Sequence, residues 1–299
     1  MSQSPEGASR ARPRVAYLGP QGTFSEQALL SSVHPGQVTP VAVQSIHDAV
    51  MAVQDSQVEL ALVPIENSIE GSVTVTLDTL TGQAHDVRIV GELVLAVHHA
   101  LIAAREIALE QIERVFSHPH VPGQCTRLLR CELAHAQVVA ALSTADAVRI
   151  VAESPDSAWA AIGTRLAAEI YGARVLREGV EDHAENETRF VWLARGESAV
   201  HELAGLLDRS STAAHRTSLV FWGAGAQRAG WLVRCLDEFA GREINLTKIE
   251  SRPQRERSWR YMFFLDFEGS TEDASVSAAI DGLAELCEEV RILGSYPAA

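Results

Sequence analysis

Lysine is almost absent from this 299-residue chain: Lys248 stands alone, and arginine carries nearly all the remaining positive charge. Acidic residues outnumber basic ones 39 to 25, for a net charge of −14. A phosphate-binding basic face is therefore missing, which excludes a nucleic-acid binder. An anionic small molecule stays compatible, because a few arginines in a cleft decide the local field. No apolar run approaches the roughly 18 residues of a membrane span. Met1 to Pro13 is rich in Ser, Arg and Pro and has no apolar core, so a disordered leader is expected there and not a signal peptide. The cysteines, Cys125, Cys131, Cys235 and Cys287, form no CxxC pair and sit in apolar, helix-like contexts. That pattern points to free buried thiols, a reducing compartment and a cytoplasmic location. Neither GxGxxG nor a P-loop lysine occurs, so no nucleotide cofactor is expected.

What is present is an ordinary globular composition, 46% hydrophobic and 21% charged, with length for two or three compact units. Strand-like and helix-like runs alternate from Arg14 onward. Val15–Leu18, Val38–Val43 and Glu59–Val63 read as strands; Thr23-x-x-Glu26 opens one helix as a capping box, and Ser45 caps the next. Such repetition predicts a mainly parallel sheet. A second α/β set follows: strands at Leu93–Val97, Arg114–Phe116, Val138–Leu142 and Ala158–Ile162, with helices at Pro122–Leu133, Ser143–Ala152 and Thr164–Tyr171. Two lobes joined by crossing strands leave a cleft, a common ligand site. Residues 196–215 read as a linker. Beyond it, Thr217–Trp222, a helix after Gln227, Ile244–Ile249, Tyr261–Phe267, a last helix and Val290–Leu293 give a βαββαβ order, the ferredoxin-like pattern.

Several loops carry polar groups at strand-to-helix junctions. Gly19-Pro20-Gln21-Gly22-Thr23-Phe24 is either a plain turn and cap or an anion cradle. In Pro64 to Gly71, Asn67 and Ser68 either donate to a ligand or satisfy their own turn. Ser117-His118-Pro119-His120 precedes Gln124; its two histidines lack a nearby third ligand, so no metal is expected. Ser143-Thr144-Ala145-Asp146 fits a simple cap. In Thr188-Arg189-Phe190, strand alternation sets Thr188 and Phe190 on one face and Arg189 on the other.

Together these motifs, Gly19-Pro20-x-Gly22-Thr23-Phe24, Pro64-Ile65-Glu66-Asn67-Ser68-x-x-Gly71, Ser117-His118-Pro119, Ser143-Thr144-Ala145 and Thr188-Arg189-Phe190, resemble the prephenate dehydratase family in order and spacing. The resemblance implies an α/β catalytic domain over 14–195, built like a type II periplasmic-binding protein: lobe 1 spans about 14–92 and 178–195, lobe 2 about 93–177. It implies Thr188, Asn67, Ser117 and Gln124 as catalytic residues. Thr23, Phe24, Ser68, Ser143, Thr144, Arg189 and Phe190 are then substrate-binding, with Arg189 either fixing a carboxylate or, in slight preference, bracing its strand. Residues 216–299 resemble an ACT regulatory domain. Its effector residues would be Gly230, Leu232, Asn245, Leu246, Glu250, Ser251, Arg252 and Pro253. Where the family has Gly-Ala-Leu-Val, this chain reads Gly230-Trp231-Leu232-Val233, so either Trp231 turns into the core or the effector pocket has changed shape. The implied reaction is prephenate to phenylpyruvate, water and CO2 in phenylalanine synthesis, without cofactor, under phenylalanine control, in a homodimer or homotetramer. Arogenate as substrate, or a non-catalytic amino-acid sensor, are the alternatives; a periplasmic solute-binding protein is disfavoured by the missing signal peptide.

Overall fold

A computed structural model describes residues 12–196, 206, 214–254 and 260–299. The expected leader up to residue 11, and nearly all of the expected linker between Gly196 and His215, lie outside the described residues.

Three sheets organise the chain. The first contains β1 (Arg14–Leu18), β2 (Thr39–Val43), β3 (Leu60–Asn67), β4 (Gly71–Ser72), β5 (Val87–Ala96) and β11 (Glu187–Arg195), in the order β2-β1-β3-β11-β5 with β4 beside β3. The second contains β6 (Ala100–Ala103), β7 (Arg114–Ser117), β8 (Gln137–Ala140), β9 (Trp159–Gly163) and β10 (Arg174–Glu178), in the order β10-β6-β9-β7-β8. Both are mixed, which corrects the expectation of a mainly parallel sheet. β1 runs parallel to β2 and β3, but β11 returns from the second lobe antiparallel to both β3 and β5. A strand inserted by a return crossing has no signature in local periodicity.

The helix starts follow their caps. Thr23 Oγ1 accepts from the Glu26 amide at 3.4 Å and begins α1 (Phe24–Ser32); Ser45 Oγ accepts from Asp48 at 3.0 Å and begins α2 (Ile46–Gln54). Ser143 Oγ accepts from Asp146 at 2.9 Å ahead of α4 (Thr144–Ala152), and Thr164 Oγ1 from Ala167 at 2.9 Å ahead of α5 (Arg165–Tyr171). Helix α3 (Thr74–Gly82) went unread because Thr and Val dominate its first turn, where propensity favours strand; burial of Leu77 and Leu80 holds it instead. The expected helix over Pro122–Leu133 is a turn followed by a π-helical segment, Leu128–Glu132. Its entry is capped from far away: Asp182 accepts from the Thr126 and Arg127 amides at 2.7 and 3.0 Å.

The C-terminal module is β12 (His215–Trp222), α6 (Trp231–Ala240), β13 (Leu246–Pro253), β14 (Tyr261–Glu268), α7 (Ala274–Leu286) and β15 (Glu289–Pro297). Its antiparallel sheet runs β13-β14-β12-β15, the ferredoxin-like arrangement. One face packs on α6 and α7 through Leu219, Phe221, Phe239 and Phe267. The other face does not meet solvent: Val220, Met262, Phe264, Leu293 and Tyr296 join Ile89, Val191 and Leu193 of the first lobe in one core. Gly294 makes this possible, since a side chain there would collide with the Ile89 carbonyl. Trp231 is buried in the helix-side core, where its Nε1 donates to the Leu286 carbonyl at 2.8 Å and its ring covers Gly225. Of the two alternatives for Trp231, the structure therefore takes the inward one.

Candidate active site

The first and second sheets are joined by two short segments, residues 97–99 between β5 and β6 and 179–186 between β10 and β11. Glu181 ties the two segments together, accepting from the His99 amide and bonding to His98 Nδ1, each at 2.8 Å. Burial opposes its charge, but those bonds prevail and hold the carboxyl below its ordinary range. A cleft of about 730 Å³ opens beside this junction. Its wall includes the N-terminal turns of α1 and α4 and the inner ends of β3 and β11.

Asn67 and Thr188 are direct register partners on β3 and β11. The Asn67 amide donates to Thr188 Oγ1 at 2.9 Å and to Asn186 Oδ1 at 2.8 Å, while its oxygen accepts from the Ile69 and Glu70 amides, both at 2.9 Å. Asn67 thus closes its own turn and also lines the cleft, with its amide hydrogens turned to neighbouring protein acceptors. Because Thr188 Oγ1 already accepts, its own hydrogen points elsewhere, and no acceptor among the described residues takes it. The network continues across the lobes. Gln124 Oε1 accepts from Asn186 Nδ2 at 3.1 Å and lies 3.2 Å from His99 Nε2, and Gln124 Nε2 donates to Glu70 at 3.3 Å.

Asn67, Gln124, Thr188, Thr23, Phe24, Ser143 and Thr144 all line this one cleft. Four expected site residues do not. Ser117 is buried, with its hydroxyl 3.4 Å from the His118 carbonyl and outside the lining. Ser68 accepts from the Glu187 amide at 2.9 Å and pins two loops together. Phe190 is enclosed in the core with Tyr17, Leu29 and Trp192, behind the cleft wall. Arg189 faces the C-terminal module, 2.5 Å from Asp266 and 3.3 Å from Glu92. A carboxylate contact from Arg189 is therefore corrected to bracing, for the reason that strand alternation anticipates.

The expected effector residues are also divided. A bulge between Leu246 and Lys248 turns Leu246 toward the helices, where Leu232 also packs, and Lys248 toward the first lobe. Arg252 is committed to Asp78 of α3 through bonds of 2.9 and 3.0 Å, whereas Asn245, Ser251 and Pro253 are exposed. Gly230, with φ +76°, is the N-cap of α6, and Glu250 stands 3.7 Å from Lys248. Among the described residues, these side chains therefore point in different directions.

Reading the sequence missed His99, Asn186 and Glu70. The signal for His99 was the polar pair His98-His99 breaking an otherwise apolar run from Leu93 to Ala104. Burial holds the His99 imidazole below its ordinary value, outweighing Gln124 and Glu181, and Phe24 meets its ring edge-on at 5.3 Å. Unfolded chain therefore takes up this proton first, and stability falls as pH drops below the ordinary value of 6.5. In urea titrations between about pH 7 and pH 5, a His99→Gln variant should lose stability less steeply than the parent. Equal slopes would remove His99 from that dependence.

Among the described residues, no helix is long and apolar enough to cross a membrane, and no group of three or more His, Cys, Asp or Glu residues could hold a metal ion. The family model for prephenate dehydratase matches residues 15–198. A prephenate dehydratase of Mycobacterium sp. strain JLS is 41% identical over 295 residues, covering 95% of this chain and 89% of the relative. A solved prephenate dehydratase from Arthrobacter aurescens, in complex with L-Phe, superposes with a TM-score of 0.81 at 34% identity, covering 95% of this chain and 90% of the other. GqqA, described as a novel type of quorum-quenching acylase, has the same TM-score of 0.81 at 29% identity, covering 96% of this chain and 98% of that one. The frame is thus shared by proteins named for different reactions, and the cleft residues have to carry the choice of reaction. With its family model spanning both lobes and a close relative aligned over nearly its whole length, the chain belongs to the prephenate dehydratase family.

Proposed function

We propose that the chain converts prephenate to phenylpyruvate, water and CO2, and that Thr188 serves the departing hydroxyl. The carrying observation is the Asn67–Thr188 pair: a hydroxyl whose oxygen is held by an amide, with its own hydrogen left for a ligand in the cleft. In the reaction the bond between C1 and its carboxylate breaks, its electrons complete the aromatic ring, and the C4–O bond expels hydroxide. One proton from solvent, delivered through the Thr188 hydroxyl or hydrogen-bonded by it, turns that hydroxide into water. Aromaticity supplies the drive, so the protein's task is orientation and fixed dipoles.

The electrostatics suit a decarboxylation. Among the described residues, no arginine or lysine lines the cleft; the N-terminal turns of α1 and α4 do. Helix N-termini favour an anion through backbone N–H groups. A carboxylate held by dipoles, away from a full positive charge, is easier to lose as neutral CO2. Asn67 and Gln124 belong to the wall that positions the ring, and Ser117 supports it from behind.

The C-terminal module is read as an ACT domain, on its βαββαβ order and the Asn245–Pro253 motif, and phenylalanine as its effector, as in the L-Phe complex of the relative. Since the described effector residues of one chain face different ways, the effector is expected between modules of a cytoplasmic homodimer or homotetramer. The test is phenylpyruvate and CO2 release from prephenate and from arogenate, with and without phenylalanine. Turnover of prephenate, reduced by phenylalanine, is expected. No release from either substrate would leave an amino-acid sensor, and preference for arogenate would change the substrate.

A further inference from the structure

The C-terminal module touches the catalytic lobe at the hairpin that carries Asn67. Strands β3 and β4 pair through Glu66↔Ser72 and Asn67↔Gly71. Along β3, Asn67 reaches into the cleft, and its neighbour Glu66 faces the module. Lys248, from β13, lies over this hairpin: its Nζ donates to Ser72 Oγ at 2.7 Å and stands 3.4 Å from Glu66 Oε1. Its side chain is only 9% exposed, so the contact is sheltered from competing water. Arg189 closes the far side, 3.4 Å from Glu66 and one residue from Thr188. Both members of the Asn67–Thr188 pair therefore adjoin a charge that ends in the C-terminal module.

We propose that Lys248 is a positioning residue: it holds the Glu66–Ser72 hairpin, and hence the Asn67 amide that orients the Thr188 hydroxyl, from the regulatory module. Nothing else in the chain could do this with an ammonium, for Lys248 is its only lysine. The point of grip also gives this position a part in regulation, a consequence that rests on the phenylalanine reading above. Lys248 lies inside the Asn245–Pro253 segment, flanked by exposed Thr247 and Ile249 on the outer face of β13. An effector bound on that outer face acts on the same strand that grips the hairpin. The hairpin in turn reaches the second lobe through Glu70, which accepts from Gln124 at 3.3 Å. One small displacement of β13 is thus delivered to Asn67, Thr188 and the interlobe contact together, a differential contact of the kind coupling requires.

The experiment compares full-length wild type, Lys248→Met, Lys248→Arg and Ser72→Ala. Lys248→Met keeps the stem and removes the ammonium. It should lower kcat for prephenate about fivefold or more, with KM changed less, and cut the phenylalanine effect on turnover by a similar factor. Lys248→Arg should restore most of both, and Ser72→Ala should give the same defect in weaker form. Amide hydrogen exchange at Ile69 and Glu70, whose N–H groups bond to Asn67, supplies a readout independent of turnover. Both amides should exchange faster in Lys248→Met, in the absence of any ligand. Wild-type kcat and unchanged exchange at these amides in Lys248→Met would overturn the proposal. Inactivity of the wild type on both substrates would instead strike the functional reading, and the exchange result would still decide the role of Lys248.

Discussion

Thr188→Ala is expected to lower kcat for prephenate by about 100-fold or more, the scale of a lost proton donor in a transition state. The threonine is only 9% exposed and sits between Asn67 and the cleft, so water has poor access to replace its hydroxyl. Its free pKa is unsuited to full proton transfer, but a fixed hydrogen bond to developing hydroxide gains strength as charge grows on the oxygen. KM should move little, because the ground-state hydroxyl is neutral and bonds weakly. Thr188→Ser keeps the donor without the methyl group and should retain most activity. Asn67→Asp makes a sharper comparison: an ionised carboxylate accepts where the amide donates, so the Thr188 hydrogen would be drawn back toward the protein. Steady-state kinetics on all three variants checks this, and near-normal turnover by Thr188→Ala would remove the threonine from the mechanism.

Arg189→Met should be the most destabilising single change among the residues of the Thr188-Arg189-Phe190 run, costing about 3–5 kcal/mol by leaving buried carboxylates uncompensated. The Arg189, Asp266 and Glu92 side chains are 11%, 7% and 1% exposed, so none can regain water without separating the module from the lobe. Glu92 keeps Arg216 at 2.8 Å and the Ala299 amide at 3.0 Å, so most of the loss falls on Asp266. A rescue follows: Arg189→Met combined with Asp266→Leu should recover much of the loss, since the apolar pair no longer buries a charge. Urea denaturation of the two single variants and the double variant measures it. A loss below about 1 kcal/mol for Arg189→Met would place the guanidinium in solvent exchange and not at a sealed interface.

The cleft residues were legible because each sits where chain grammar is strict. Thr23 and Ser143, like Ser45 and Thr164 outside the cleft lining, stand at caps, and a cap reports itself through residue type and spacing. Asn67 ends a strand and Gln124 follows one, where open sheets present their loops. Ser117 and Phe190 carry the same motif signature yet face inward, and Ser68 is exposed beside Glu187, because a motif marks what a site needs and not which atoms touch the ligand. Glu70 had no local pattern at all, and His99 only the polar break it shares with His98. Their partners, Gln124 and Glu181, lie 25 to 82 positions away, and such pairing is visible only after folding.

Composition and periodicity by themselves determined most of the strands and helices, the two-lobe plan, the βαββαβ module, most caps, and the opposite facing of Thr188 and Arg189, since these follow from hydrogen bonding and side-chain direction over a few residues. Tertiary structure alone decided that β11 runs antiparallel between β3 and β5, that Trp231 fills the module core, and that Lys248 and Arg189 meet the back of the catalytic strands. Those outcomes depend on which distant surfaces exclude water together, and burial across the whole chain, not spacing along it, sets that choice.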